Sequence, residues 1–146
     1  MDLNVRKAQL SDSEFVYRVK KEALGGYIED TWGWDEAFQY NYHLNSYEPS
    51  SISIYSTPEQ GDIGYAELDI GEKHMAITGI YILEEFQNHG AGTVIIKSVL
   101  KDAAEKDLPV RLRVLRVNLK ASRLYERLGF RLEGESETHF TMVHEA

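Results

Sequence analysis

Apolar residues recur along this chain at two spacings, and the switches between them mark out its elements. A short strand is predicted over residues 3 to 9, followed by the capping box SDSE, with Ser11 as N-cap and Glu14 at the third helical position. Phe15, Val16, Val19 and Ala23 then fall at helical spacing, and Gly25 and Gly26 are expected to end that helix. A segment dense in aromatic and acidic residues leads into a second helix over residues 35 to 47. Alternation returns in SSISIYST and, beyond a Pro-Glu-Gln-Gly-Asp turn, in IGYAELDIG, the pattern of a hairpin. HMAITGIYIL reads as a strand whose internal glycine, Gly79, implies a bulge or a close backbone approach.

From Gly90 to about Lys106, Ile95, Ile96, Val99, Leu100 and Ala103 share one face of a helix. PVRLRVL is a strand, LKASRLYERLG a helix closed by Gly129, and FRLEGESETHFTMV one or two strands. The order is β α α β β β α β α β, with room for one further strand. Hairpins mixed with βα crossovers predict an α+β (mixed α/β) fold, a sheet covered by helices.

Composition narrows the picture. With 146 residues, 42% hydrophobic and 27% charged, the chain suits one compact domain over residues 1–146. It has no run of 18 or more apolar residues and no secretory leader pattern at its start, so a cytoplasmic protein is expected, not bound to membrane. Cysteine is absent, which removes disulfides and thiolate zinc sites, and no metal is expected. A formal charge of −8 disfavours nucleic acid and anionic lipid and suits a cationic or neutral partner. The one basic concentration, RLRVLRVNLK, alternates with apolar residues and reads as a strand with one wet face.

The chemistry centres on LEEFQNHGAGTVII, where Gly90 and Gly92 sit at a predicted helix start. Helix N-termini carry unpaired N–H donors and partial positive charge, so an unshielded one holds an anion, although such glycines also occur in plain turns. Neither GxxxxGK[ST] nor GxGxxG is present. In context, IYILEEFQNHGAGTVIIKSVL resembles the acyl-CoA signature of the GNAT superfamily of N-acyltransferases, with Gln87, Asn88, His89, Gly90, Ala91 and Gly92 matching [QR]xxGx[GA]. VNLKASRLYERLGF resembles the second family motif, through Asn118, Ala121, Leu124, Tyr125, Glu126, Gly129 and Phe130.

The resemblance implies a three-layer fold, a mixed and mostly antiparallel sheet of six to seven strands flanked by about four helices. It also implies acetyl-CoA as acyl donor, its pyrophosphate on backbone N–H groups of residues 87 to 93, including Thr93, and its pantetheine arm along Ile80, Tyr81 and Ile82 where the sheet splays. A backbone N–H near Ile82 would polarise the thioester carbonyl. Tyr125 stands where the family carries the acid that protonates the leaving thiolate; it also reads as a core aromatic between Leu124 and Leu128. Asn118 is implied to contact the pantetheine or Tyr125, and equally suits a helix N-cap. The carboxylate that some relatives carry on the strand before the loop is missing, since Met75, Ala76 and Ile77 stand there. Glu67, His74 or a water relay are the substitutes as base.

The segment after the first helix commonly walls the acceptor site in this family. Trp32 and Trp34 beside Glu29, Asp30, Asp35 and Glu36 would make an aromatic cation pocket, or else anchor a loop and cap a helix. WGWDE resembles a subset of small, mostly bacterial members. The expected activity is direct transfer of an acetyl group to a primary amine, of a small molecule or a peptide, in a ternary complex. The alternative is an acyl-CoA sensor that binds without turnover. Family members are often dimers, so the resemblance admits a homodimer.

Overall fold

The computed structural model describes residues 2–145. Seven strands form one sheet: β1 (Asn4–Lys7), β2 (Ile52–Thr57), β3 (Gly61–Ile70), β4 (Met75–Ile82), β5 (Val110–Leu115), β6 (Arg131–Glu135) and β7 (His139–His144). Their order is β1-β2-β3-β4-β5-β7-β6, with only β4 and β5 parallel. Four helices accompany them: α1 (Ser13–Trp32), α2 (Glu36–Ser46), α3 (Ala91–Glu105) and α4 (Leu119–Arg127). The architecture is the mixed α+β arrangement expected, with the closing segment supplying two strands.

Two apolar faces sandwich the sheet. Val16 and Val19 of α1 pack with Ile52, Ile54 and Tyr65 on one side. On the other, Ile96 and Val99 of α3 and Tyr125 of α4 pack with Met75, Ile77, Val110 and Leu112. α2 leans on the start of α1: the buried His43 ring shares Ser13 Oγ at 2.9 Å, and Tyr40 meets Tyr17 edge-on. Burial holds the His43 imidazole below its ordinary value and so neutral.

Two expectations at α1 are corrected. Ser11 is not its cap; it lies in a 3-10 turn, Leu10–Asp12, and the Asp12 carboxylate accepts from the Gln9 N–H at 2.8 Å. Asp12 is held in place by Arg6 at 2.8 Å, which also lowers its pKa. Nor does the helix end at Gly25 and Gly26. Two helical glycines cost about 1 kcal/mol each relative to alanine, whereas burying an isoleucine returns roughly 1.5–3 kcal/mol. Continuing the helix buries Ile28 to 6% exposure, and Trp34 folds back to 3.8 Å from where a Cβ on Gly25 would lie. The stop is Gly33, left-handed at φ 84, its N–H donating to the carbonyls of Ile28 and Glu29.

α4 ends as its sequence predicts. Gly129 (φ 98) passes its N–H to Glu126 and the Phe130 N–H reaches the Tyr125 carbonyl at 3.0 Å, a Schellman pair.

Candidate functional site

A cavity of about 950 Å³ opens where β4 and β5 part. The two strands pair over only Met75↔Val110, Ala76↔Arg111 and Ile77↔Leu112. Immediately afterwards β4 bulges: Glu67 faces Gly79 while Leu68 faces Ile77, so Thr78 is the extra residue. The bulge expected at Gly79 is therefore present. The remaining stretch, Thr78 to Ile82, lines the cavity opposite Arg113, Val114 and Leu115. Gly79 is needed there, because any Cβ would sit against the Tyr81 ring folded over it. The Leu83 N–H turns back to the Ile63 carbonyl of β3 at 2.9 Å. By the alternation of an antiparallel ladder, Ile80 and Ile82 then aim their main-chain groups into the gap.

The loop at the head of α3 closes one end of the cavity. Asn88 (φ 67) and Gly90 (φ 88) are both left-handed, the curl that gathers successive N–H groups into an anion nest. Among the described residues, the N–H groups of residues 88 to 93 have no protein acceptor. A Cβ on Gly92 would have only ordinary contact, 3.6 Å from Leu124, so nothing in the packing requires glycine at that point. Unfilled space beside free donors is what an approaching phosphate needs.

Two loop residues stand apart from the rest. The Gln87 N–H is spent on the Glu84 carbonyl at 3.2 Å, and its side chain ties to the Ile82 carbonyl at 2.8 Å, so Gln87 positions the loop instead of donating its own N–H. The His89 side chain is exposed and turned away from the cavity.

On the α4 side, Tyr125 is buried to 8% exposure with its ring edge-on to Phe130, yet it also lines the cavity. Among the described residues its hydroxyl has no hydrogen-bond partner, and burial pushes its pKa up to about 12. At neutral pH it is a protonated donor. Asn118 caps α4, its Oδ1 accepting from the Ala121 N–H at 3.1 Å, and it lines the same cavity.

On the α1 side the candidates divide. Glu67 lies on β3, one strand from the gap, and does not line the cavity. Burial raises its carboxyl while Lys20 pulls it down; burial likewise lowers Lys20, opposed by Glu67. Tyr81 stands between the two sides: burial raises its phenol strongly, and Tyr125 and Glu67 add to the shift. His74 lines the cavity just before β4.

Of the acceptor-wall residues, only Trp32, 60% exposed, reaches the cavity, its ring 6.1 Å from that of His139. Trp34 is an anchor, donating its indole N–H to Glu36 at 2.7 Å beneath Lys21. Glu29 accepts from the Trp34 N–H at 2.5 Å, and Asp35 caps α2 by accepting from the Phe38 N–H at 3.0 Å. Trp34 and the four carboxylates therefore do not line the cavity beside Trp32.

Tyr27 and Ile28 reach the cavity wall because α1 continues past its glycines, and Lys20, earlier on the same helix, joins them there.

The fold recurs in solved structures. The PaiA N-acetyltransferase of Thermoplasma acidophilum, in complex with coenzyme A, superposes with TM-score 0.80 at 18% identity over 100% of both chains. PH1933 of Pyrococcus horikoshii gives 0.78 at 18% identity over 99% of each. The ribosomal-protein-S18-alanine N-acetyltransferase of Escherichia coli gives 0.73 at 14% identity, over 99% of this chain and 94% of that one. No curated protein sequence matches. The Acetyltransferase (GNAT) family model matches residues 15–130, and this chain therefore belongs to the GNAT acetyltransferase family.

Proposed function

We propose that this protein is a single-domain N-acetyltransferase that moves an acetyl group from acetyl-CoA to a primary amine by direct transfer. The observation that carries the reading is one cavity holding three parts: the free N–H groups of residues 88 to 93, the unpaired edge of β4, and the Tyr125 hydroxyl. The bound coenzyme A of the PaiA N-acetyltransferase supports the same donor here.

Backbone N–H groups at the α3 head hold the pyrophosphate. The edge at Ile80 and Ile82 takes the pantetheine arm as an added strand, and the Ile82 N–H stabilises the oxyanion that forms as the amine attacks. The amine nitrogen bonds to the acyl carbon, the carbon–sulfur bond breaks, and Tyr125 gives its proton to the departing sulfur. The same burial that raises the phenol disfavours a bare thiolate beside it, which keeps the transfer matched. Water relays the proton lost by the amine towards Glu67, whose raised pKa improves it as a base. Without cysteine, the commonest acyl-enzyme route is closed.

One observation favours a second reading. None of the chain's Asp or Glu residues lines the cavity, which suits an acyl-CoA sensor without a base. Titration calorimetry with acetyl-CoA tests the shared binding step, and absence of binding at submillimolar concentration would sink both readings. Thiol release with an amine panel separates them, since a sensor binds without turnover.

A further inference from the structure

The chain carries 24 acidic residues against 16 Lys and Arg, yet its main cavity is walled by basic side chains and no acidic ones. Part of this basic lining lies on α4, at Lys120 and Arg127. The remainder lies across the gap. Lys20 comes from α1, His74 precedes β4, and Arg111 and Arg113 project from β5 on the side opposite the buried Val110, Leu112 and Val114.

These cations are not equally free. Arg111 is held by Glu133 at 3.1 Å, and Lys20 shares its field with Glu67. Arg113, among the described residues, makes neither an ion pair nor a hydrogen bond. It stands opposite Thr141 on β7 and close to His139, whose imidazole is lowered first by burial and then by Arg113. Among the described residues no carboxylate lies within ion-pair distance of it. A guanidinium left unpaired at a cavity wall offers a planar fork suited to a carboxylate or a phosphate oxygen pair.

From this we infer that the acceptor is an amine that also carries an anionic group, carboxylate or phosphate, and that Arg113 binds that group on the α1 side of the gap. The cavity then reads as two anion stations, one at the α3 head and one at Arg113, with the acyl carbon between them. This acceptor class differs from the cationic or neutral partner that net charge suggests, because net charge averages over a surface the cavity does not share. The inference rests on the acetyl-transfer reading and names its substrate class.

The test measures thiol release from acetyl-CoA with acceptors paired to differ in the anionic group: β-alanine against propylamine, and aminoethyl phosphate against ethanolamine, with a linear diamine as the opposite charge class. The anionic member of at least one pair is expected to show kcat/KM higher by ~tenfold or more, the scale of a charge-assisted fork. Which pair responds tells carboxylate from phosphate. Arg113→Gln should abolish the preference and Arg113→Lys keep part of it, with acetyl-CoA affinity unchanged in both. Equal rates within both pairs, preference for the diamine, or an anion preference that survives Arg113→Gln would overturn the assignment and leave the transfer reading standing. Acetyl-CoA binding without thiol release from any amine would overturn the transfer reading and the acceptor class with it.

Discussion

The side-chain amide of Gln87 donates to the carbonyl of Ile82 at 2.8 Å, fastening the loop that opens α3 to the last residue of β4. Anion nest and strand edge are thereby fixed relative to each other. Gln87→Ala should raise the acetyl-CoA Kd by about two- to tenfold, the value of one lost hydrogen bond, with little change in the core. Titration calorimetry checks it; an unchanged Kd would show that the loop holds its shape without the tie.

The two glycines of the loop should separate fold from binding. Gly90 is left-handed, so Gly90→Ala should cost roughly 1–2 kcal/mol of stability. At Gly92 a Cβ meets only Leu124 at ordinary distance, so Gly92→Ala should leave the melting temperature level or slightly higher while weakening acetyl-CoA. Thermal melts beside titrations read both, and a Gly92→Ala protein binding at full strength would clear that space of any guest.

Tyr125→Phe removes a hydroxyl that no protein group engages. Melting temperature and acetyl-CoA affinity should hold, while kcat falls by about 10²–10⁴, the range of a lost general acid. Full turnover would exclude Tyr125 from the chemistry.

Asn118 caps α4 whatever else it does. Asn118→Ala should cost about 1 kcal/mol, and Asn118→Asp, an equally good cap, should restore the stability. Turnover that returns along with stability in Asn118→Asp would leave the residue a cap and nothing more.

Under the proposed mechanism, Glu67 and Tyr125 are expected to set the pH dependence. The folded Glu67 carboxyl lies above its unfolded value, so the native chain binds the extra proton and this group's contribution to stability is lost as pH rises through the two values. Glu67→Gln should flatten that segment of a stability–pH curve. Activity should rise with pH as Glu67 and the amine lose protons. With Tyr125 pushed up to about 12, no alkaline fall from the acid is expected below roughly pH 10.

The elements were legible wherever apolar period and punctuation agreed. Gly129 closed α4 as a left-handed residue and Gly79 marked a real bulge, because the first answered a backbone demand and the second left room for the Tyr81 ring. Gly25 and Gly26 misled because they answered none: the helix crosses both to bury Ile28, and that continuation carries Tyr27 and Trp32 to the cavity. The family resemblance pointed to Tyr125 and to the loop at the head of α3, and both line the cavity. Arg113 could not be read in this way, because within its strand it is one more wet residue; only the structure shows that Arg111 is paired, with Glu133, and that Arg113 among the described residues is not.

The three-pair seam between β4 and β5 has one more consequence. It leaves an open strand edge in the middle of a sheet, where ordinary edges are exposed to any passing chain. Here the two half-sheets flank it like the walls of a slot, and the helices roof both sides. What meets this edge must therefore enter along the cavity. The liability that most sheets bury under charge or proline is here turned inward, onto a cavity.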